Sequence, residues 1–265
     1  RKPFKSALNG MSNPQAMAPP DDDSMTARYY RSPLASRGIC TLSAFVYLTS
    51  LLLFPSLPRD LSCCPLQVAQ LGLHRLLLSP FAIGSLLNLL IGILVFVQIG
   101  VQFERQFGTL GFFFLFNLLN LVSNVTFTLS SLLLAPLFPG FGLLSRASCS
   151  GGLWGPVLGF LVVQTQRSPQ PFISFCGLFN VPTKLYPLFL VLLFSLLGSP
   201  VLDNLCGLLA GWLFVKGHLA RVMPREETFT RWEAHSLLAP LFSASGYISW
   251  TGEVFKDEYS APLGG

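Results

Sequence analysis

Residues 148–163 of this chain read SCSGGLWGPVLGFLVV. A serine–glycine pair, Ser150-Gly151, is followed by an apolar run that must be buried in protein or in lipid. A hydroxyl group at that depth needs a partner or has a function. The first question is therefore whether the chain supplies a base that could activate Ser150 as a nucleophile.

The composition is that of a membrane protein. Of the 265 residues, 51% are hydrophobic and 11% are charged, whereas soluble domains carry about 25% charged residues. The net charge of +5 is dispersed, with no basic run of the kind that binds nucleic acid. Because the first 36 residues are polar and contain prolines, we expect no cleavable signal peptide.

Hydropathy predicts an all-α fold, a polytopic bundle of six transmembrane helices. The predicted spans are residues 38–58, 81–101, 110–134, 150–165, 184–198 and 201–215. The fourth is about 24 Å long, so it need not cross the hydrocarbon core alone. The predicted domains are a disordered tail (1–37), a transmembrane domain (38–218) and a C-terminal segment (219–265) with a short amphipathic helix near 228–243.

The basic residues predict the orientation. With six spans both termini lie on one side of the membrane. That side holds 14 of the 17 Lys and Arg residues, and the opposite loops hold three, Arg59, Arg75 and Arg146. By the positive-inside rule both termini are expected to be cytosolic.

The six cysteines follow no zinc-binding spacing, so we predict neither a metal site nor a cofactor. Buried free thiols are favoured over a disulfide or a metal role. Cys63-Cys64, in a predicted loop, could instead be palmitoylated or oxidised.

A set of short motifs, in order, resembles the rhomboid superfamily over residues 38–218. The motifs are His74-Arg75 before the second span, Asn88 within it, Glu104-Arg105 at its end, Ser150-Gly151, and Gly207 with Gly211 in the sixth span. The corresponding rhomboid motifs are W-R, H-x-x-x-N, E-x-x-x-G, G-x-S-G and H-x-x-G-x-x-x-G. The resemblance implies that Ser150 occupies the position of the nucleophile.

The departures from these motifs predict an inactive site. Gly84 stands where active rhomboids place an oxyanion-stabilising histidine, and Asn204 stands where they place the general base. The first glycine of G-x-S-G is replaced by Ser148. An asparagine amide cannot accept the proton of Ser150, and an unassisted serine is a poor nucleophile.

No other histidine is placed to substitute. His74 lies in the first loop and His235 in the C-terminal segment. His218 follows Asn204 by fourteen residues, about 21 Å along a helix, whereas a general base must come within about 3 Å of the hydroxyl.

One branch of the superfamily is more similar. The segments FERQFGTLGF, SGGLWGPVLGFLVV and FISFCGLFNVPTKLYPLFLVLLFSLLGS resemble the UBA-domain-containing rhomboid-like proteins, which include the rhomboid-like subunit of the fungal Dsc ubiquitin ligase and are related to derlins. This resemblance implies an inert pseudoprotease of the endoplasmic reticulum or Golgi that recruits membrane ubiquitin ligases and UBX-domain proteins. The twenty residues after Ser245 are too few for the UBA domain that often ends such proteins.

Each site residue also has a structural interpretation. Ser150 could cap the fourth helix, and Asn88 and Asn204 could hydrogen-bond between helices. Gly207 and Gly211 form a G-x-x-x-G motif that favours packing of the sixth span on the fourth over homodimerisation.

Three charged or aromatic features complete the predictions. Glu104 and Arg105 could form an ion pair or anchor a loop, together with His74 and Arg75. Asp203 is favoured as a solvated residue at the interface over a functional residue at membrane depth. The helix around Trp232 could lie on the bilayer or dock a partner.

The sequence therefore predicts a catalytically inactive, client-binding membrane protein, with the lipid bilayer, membrane-protein clients, a ubiquitin ligase and UBX-domain proteins as partners. The alternative is an active intramembrane serine protease that uses Ser150. A transporter or channel is a third class, which the lack of a detectable internal repeat disfavours.

Overall fold

The computed structural model describes residues 32–135, 137, 148–167, 171–175, 179–196, 200–224, 226–233, 242 and 244–249. The helices are α1 (Leu34–Leu52), α2 (Leu57–Leu61), α3 (Pro65–Ala69), α4 (His74–Leu78), α5 (Leu86–Leu134), α6 (Trp154–Arg167), α7 (Tyr186–Leu196), α8 (Val201–Val215) and α9 (Glu226–Glu233). A two-stranded antiparallel hairpin, β1 (Phe172–Phe175) and β2 (Phe179–Pro182), lies between α6 and α7.

Helix α5 is two helices joined at Gly108, residues 86–107 (α5a) and 109–134 (α5b). Gly108 has φ 70° and ψ 166°, a conformation that only glycine adopts without strain. The rings of Phe96 and Phe116 lie 5.7 Å apart, although twenty residues of straight helix would separate them by about 30 Å. The chain therefore reverses at Gly108, between the predicted second and third spans (81–101 and 110–134).

Two of the described helices, α1 and α5, are long and apolar enough to cross a membrane by length and composition. Val201–Val215 and Thr183–Ser195 form shorter apolar helical segments. Leucine and phenylalanine side chains cover their outer surfaces; Phe45 on α1, for example, is 65% exposed. This surface suits a lipid environment, in which apolar side chains face outward at no cost.

The centre of the bundle is the pairing of α6 with α8. A methyl group on Gly207 would lie 2.6 Å from the carbonyl oxygen of Gly155, and one on Gly211 would clash with Gly159. Small residues at these four positions let the two backbones touch. Around this pair, phenylalanine rings fill the space between α5a, α5b and α6, with Phe112 and Phe160 stacked 5.4 Å apart.

Several predicted boundaries change. Helix α8 begins and ends where the sixth span was predicted, but α1 begins at Leu34, inside the predicted tail, and ends at Leu52 rather than 58. The second span begins at Leu86 because Ser85 caps it, its hydroxyl accepting from the Asn88 N–H. The β-hairpin is an exception to the all-α prediction. The remainder of the predicted tail, residues 1–31, lies outside the described residues.

The C-terminal segment packs on the bundle itself. Phe229 of α9 is fully buried, 6.4 Å from the Phe114 ring of α5b, and the Trp232 ring packs against Phe229. Neither sequence-based interpretation of this helix, bilayer surface or partner docking, included that arrangement. The rest of the predicted amphipathic helix is described only at Phe242.

Candidate functional site

Ser150 lies on an extended segment four residues before α6, so it does not cap that helix. Its backbone forms an antiparallel bridge with Cys63, with the Ser150 N–H donating to the Cys63 carbonyl (2.9 Å) and the reverse bond at 2.8 Å. The helix instead begins at Trp154, after Gly152 adopts φ 94°. The interpretation of Ser150 as a capping residue is therefore wrong.

The bridge also pairs Cys64 with Cys149 in a disulfide. In an antiparallel pair, the neighbours of two opposed residues also face each other, so the Cys63–Ser150 register brings these two cysteines together. The expectation of free thiols is wrong for this pair. Cys40, Cys63 and Cys206 are free and buried, as expected, and Cys176 lies outside the described residues.

Loss of the disulfide should destabilise this end of the molecule. Closing an 85-residue loop typically contributes about 2–4 kcal/mol, so we expect Cys149→Ser to lower the free energy of unfolding by that amount. Peptide mapping of the unreduced protein should show Cys64 linked to Cys149.

Cys63 serves as the internal control: burial raises the pKa of its thiol to about 11, so it should resist alkylation at neutral pH until the protein is unfolded. Alkylation of Cys64 and Cys149 in the native, unreduced protein would contradict the pairing.

The Ser150 hydroxyl faces a buried polar cluster on α5b. It lies 3.5 Å from the Asn124 side-chain oxygen, and Asn124 in turn donates to the Ser79 hydroxyl (2.7 Å) and to the Leu76 carbonyl (2.8 Å). Asn120 donates to the Leu76 carbonyl as well, at 2.9 Å. These bonds hold α4 and the following turn against α5b. An amide oxygen accepts a hydrogen bond but does not take up a proton.

Asp203 is the charged residue beside Ser150. It is 3% exposed, its carboxyl interacts with the Ser150 hydroxyl, and its Oδ1 has no hydrogen-bond partner among the described residues. The predicted position at a solvated interface is wrong. The first turn of α8 packs against the bundle and turns Asp203 inward rather than toward water.

The other positions of the rhomboid pattern, Asn88, Asn204 and Gly84, differ in their surroundings. Asn88 accepts a hydrogen bond from the Trp154 indole N–H, which links α5a to α6. Asn204 is fully buried on α8, one residue after Asp203. Gly84 lies in an open position, with no atom within 4 Å of where its side chain would begin.

Two backbone donors beside the Ser150 hydroxyl are engaged elsewhere. The Ser150 N–H is bonded to Cys63, and the Gly152 N–H donates to the Ser79 carbonyl at 2.9 Å. His74 and His218 are exposed, and His235 lies outside the described residues. No group of three metal-binding side chains is present in the described part of the chain.

A second buried polar cluster surrounds Glu104, at the opposite end of α5a. Its carboxylate accepts bonds from the N–H groups of Ala35 and Ser36 (2.7 Å each), from the Ser36 hydroxyl (2.7 Å) and from the Thr109 hydroxyl (2.9 Å). Glu104 thus caps the N-terminus of α1, where a negative charge is favourable. Residues 244–249 pack at the same end of the bundle. The Thr109 N–H donates to the Ile248 carbonyl, and the Ile248 N–H donates to the Thr109 hydroxyl.

The other predicted loop anchors, Arg75, His74 and Arg105, differ in their contacts. Arg75 donates to the carbonyls of Arg59 (2.8 Å) and Ser62 (3.0 Å) and so fixes the loop that carries Cys63. His74 and Arg105 are exposed. An ion pair between Glu104 and Arg105 is not formed, because the Glu104 carboxylate is turned toward α1.

Residues 37–218 match the family described as "Eukaryotic integral membrane protein (DUF1751)". The match covers more than two thirds of the chain. The chain belongs to the DUF1751 family. It is 28% identical to Rhomboid-like protein 15 of Arabidopsis thaliana over 83% of this chain and 55% of that protein. It is 26% identical to Rhomboid-related protein 4 of Mus musculus over 57% of this chain and 47% of that protein. The chain thus spans about half the length of the curated relatives it matches.

This DUF1751 protein is therefore an integral membrane protein with rhomboid-like relatives. Asn120 and Asn124 were not predicted from the sequence as members of the site, and Asp203 was predicted at a solvated interface instead of its buried position. The spacing of Asn120 and Asn124, four residues apart on one helical face in an apolar span, was a usable signal, since polar pairs at membrane depth need partners. No comparable spacing in the sequence indicated that Asp203 points into the bundle.

Proposed function

We propose that this DUF1751 protein is a rhomboid-like pseudoprotease that binds membrane-embedded clients without cleaving them. The observation that carries the proposal is the environment of Ser150. Its N–H is bonded to Cys63, and its hydroxyl faces Asn124 and Asp203. The general-base position holds Asn204. The site then binds clients and does not cleave them.

Client entry follows from the short helices of the bundle. Helix α6 has 14 residues, about 21 Å at 1.5 Å per residue, less than the roughly 30 Å hydrocarbon core. It is buried at the centre of the bundle, but its neighbours α7 and α8 are similarly short, with 11 and 15 residues, and they expose leucine side chains. A lipid-facing surface this short thins the local bilayer. A transmembrane segment of low hydrophobicity can then leave the lipid and approach the bundle laterally.

The proposal includes six spans, α1, α5a, α5b, α6, α7 and α8, with both termini cytosolic. The basic residues support this orientation, and so does the disulfide, because disulfides persist in oxidising compartments and Cys64–Cys149 lies at the opposite end from the Glu104 cluster. The endoplasmic reticulum or Golgi is the proposed location. A membrane ubiquitin ligase and UBX-domain proteins on the cytosolic side are proposed partners, which the resemblance to the UBA-domain-containing branch suggests.

An active-site probe tests the absence of a nucleophile. We expect purified protein in mild detergent to react with a fluorophosphonate no more than the Ser150→Ala variant does, because an unactivated serine does not attack the probe. A catalytically active rhomboid protease in the same detergent is the positive control. Labelling that Ser150→Ala abolishes would contradict the proposal.

A second candidate function is serine hydrolysis with Asp203 as the base. It is favoured by one observation: the buried Asp203 carboxyl lies close enough to the Ser150 hydroxyl to interact with it. A carboxylate in that position can accept the hydroxyl proton. This candidate predicts fluorophosphonate labelling that both Ser150→Ala and Asp203→Asn abolish, whereas the pseudoprotease predicts none in any of the three proteins.

A further inference from the structure

A cleft of about 630 Å³ lies between α5a, α6 and α7, away from the Ser150 cluster. Its polar lining is Gln98, Gln102, Arg105, Gln164, Thr165 and Tyr186. Polar side chains that line a cleft between membrane helices can donate to or accept from a bound ligand. The cleft therefore needs an explanation that the binding of clients near Ser150 does not give.

The polarity of the cleft changes along its length. Gln98, Gln102 and Arg105 share one face of α5a, since they are four and three residues apart. Arg105 is three residues from the turn at Gly108, about 5 Å along the helix, and Gln98 is about 15 Å from it. The wall beyond Gln98 is apolar and includes Val95 and Leu190. The cleft is thus cationic near the membrane surface, amide-lined below it and apolar at depth.

The charge of Arg105 is not neutralised within the described part of the chain. Its neighbour Glu104 is fully buried and turned away, with its carboxylate bound to Ala35, Ser36 and Thr109. Gln102 accepts from the Gln164 amide at 2.7 Å, which leaves its own amide N–H groups available as donors. A ligand that carries an anionic group next to hydrogen-bond acceptors would complement Arg105 and Gln102.

From this gradient we propose that the cleft binds an anionic glycerophospholipid. The phosphate lies at Arg105, the ester carbonyls accept from the Gln102 amide, and an acyl chain runs along Val95 and Leu190. A phospholipid has these three chemistries in the same order and at similar spacing, and basic pockets between helices on the cytoplasmic side bind lipid headgroups in this way. The bound lipid fills the gap between α5a and α7.

Native mass spectrometry of the full chain in non-ionic detergent tests this site. The protein is supplied with equimolar dioleoyl phosphatidylserine and dioleoyl phosphatidylcholine, and the retained lipid is counted. We expect one phosphatidylserine to be retained, and Arg105→Gln to reduce its retention about fivefold, the factor for one basic residue at an anionic headgroup. Gln102→Leu should reduce the retention of both lipids.

Lys216→Gln is the matched control, because Lys216 is an exposed basic residue that follows α8 and does not line the cleft. Equal loss of phosphatidylserine in Arg105→Gln and Lys216→Gln would overturn the proposal in favour of surface charge. Unchanged retention in Arg105→Gln would also overturn it. A client cross-link that Gln102→Leu abolishes, with lipid retention unchanged, would assign the cleft to clients instead. None of these results bears on whether Ser150 is a nucleophile.

Discussion

Replacing Gly211 with leucine should separate α8 from α6 and cause a large loss of stability. The added side chain would meet the Gly159 backbone and the Val162 Cβ, 2.9 Å from the latter. Backbone atoms cannot rotate away as a flexible side chain can, so the helices must move apart. Overpacking of a well-packed site costs about 1–3 kcal/mol even where side chains can adjust, and we expect Gly211→Leu to reach or exceed the upper value.

The measurement is the free energy of unfolding in mixed micelles titrated with SDS. Gly207→Leu should behave like Gly211→Leu, because its side chain would meet the Gly155 carbonyl oxygen. Gly38→Ala is the matched control: Gly38 is also helical, in α1, and has no atom within 4 Å of the added methyl group. That control should be neutral or stabilising by up to about 1 kcal/mol, the difference in helix propensity. Equal stability of Gly211→Leu and wild type would show that α6 and α8 do not touch through these glycines.

Removal of the Glu104 carboxylate is also expected to cause a large loss of stability. Glu104→Ala leaves the Ala35 and Ser36 N–H groups without their acceptor in a buried place. Loss of a helix cap costs about 0.5–2 kcal/mol, and each buried donor left unpaired costs about 1–3 kcal/mol. We therefore expect a destabilisation of about 3 kcal/mol, with fraying of the N-terminus of α1 and release of residues 244–249.

Glu104→Gln tests the geometry of this cap, because its single side-chain oxygen can satisfy only part of the donor set and its amide group faces other donors. The free energy of unfolding of Glu104→Gln should lie between those of wild type and Glu104→Ala. Gln106→Ala is the control: this residue of the same turn is exposed, so its substitution should leave unfolding unchanged. Hydrogen exchange at Ala35 and Ser36 gives a local readout. Protection at these amides that survives Glu104→Ala would contradict the capping role.

Features that depend on local spacing were predictable from the sequence. The G-x-x-x-G spacing of Gly207 and Gly211 places both residues on one helical face, and α8 has the predicted bounds because Pro200 precedes it and the apolar run ends at Val215. The turn before Leu110 was predictable as well, since the polar residues Glu104, Arg105 and Gln106, followed by Gly108, interrupt an otherwise apolar segment. In each instance the determining residues are near one another in the chain.

Features that depend on distant residues were not predictable. The Cys64–Cys149 disulfide follows from a two-residue bridge between segments 85 residues apart, and no periodicity in the sequence encodes that register. Glu104 could be assigned as an anchor, but its partners on α1 are 68 and 69 residues away. The burial of Asp203 depends on how α8 is rotated about its axis, because a residue at the end of a helix can face water or protein with the same sequence.

The central proposal, binding without cleavage, is tested most directly by following a client through the site. The purified protein is reconstituted with a helix-destabilised transmembrane client that carries a photo-cross-linker, and wild type is compared with Ser150→Ala. We expect both proteins to form the same cross-linked adduct with intact client and neither to release a fragment. Appearance of a client fragment with wild type, and its loss in Ser150→Ala, would show that Ser150 is a working nucleophile and contradict the proposal.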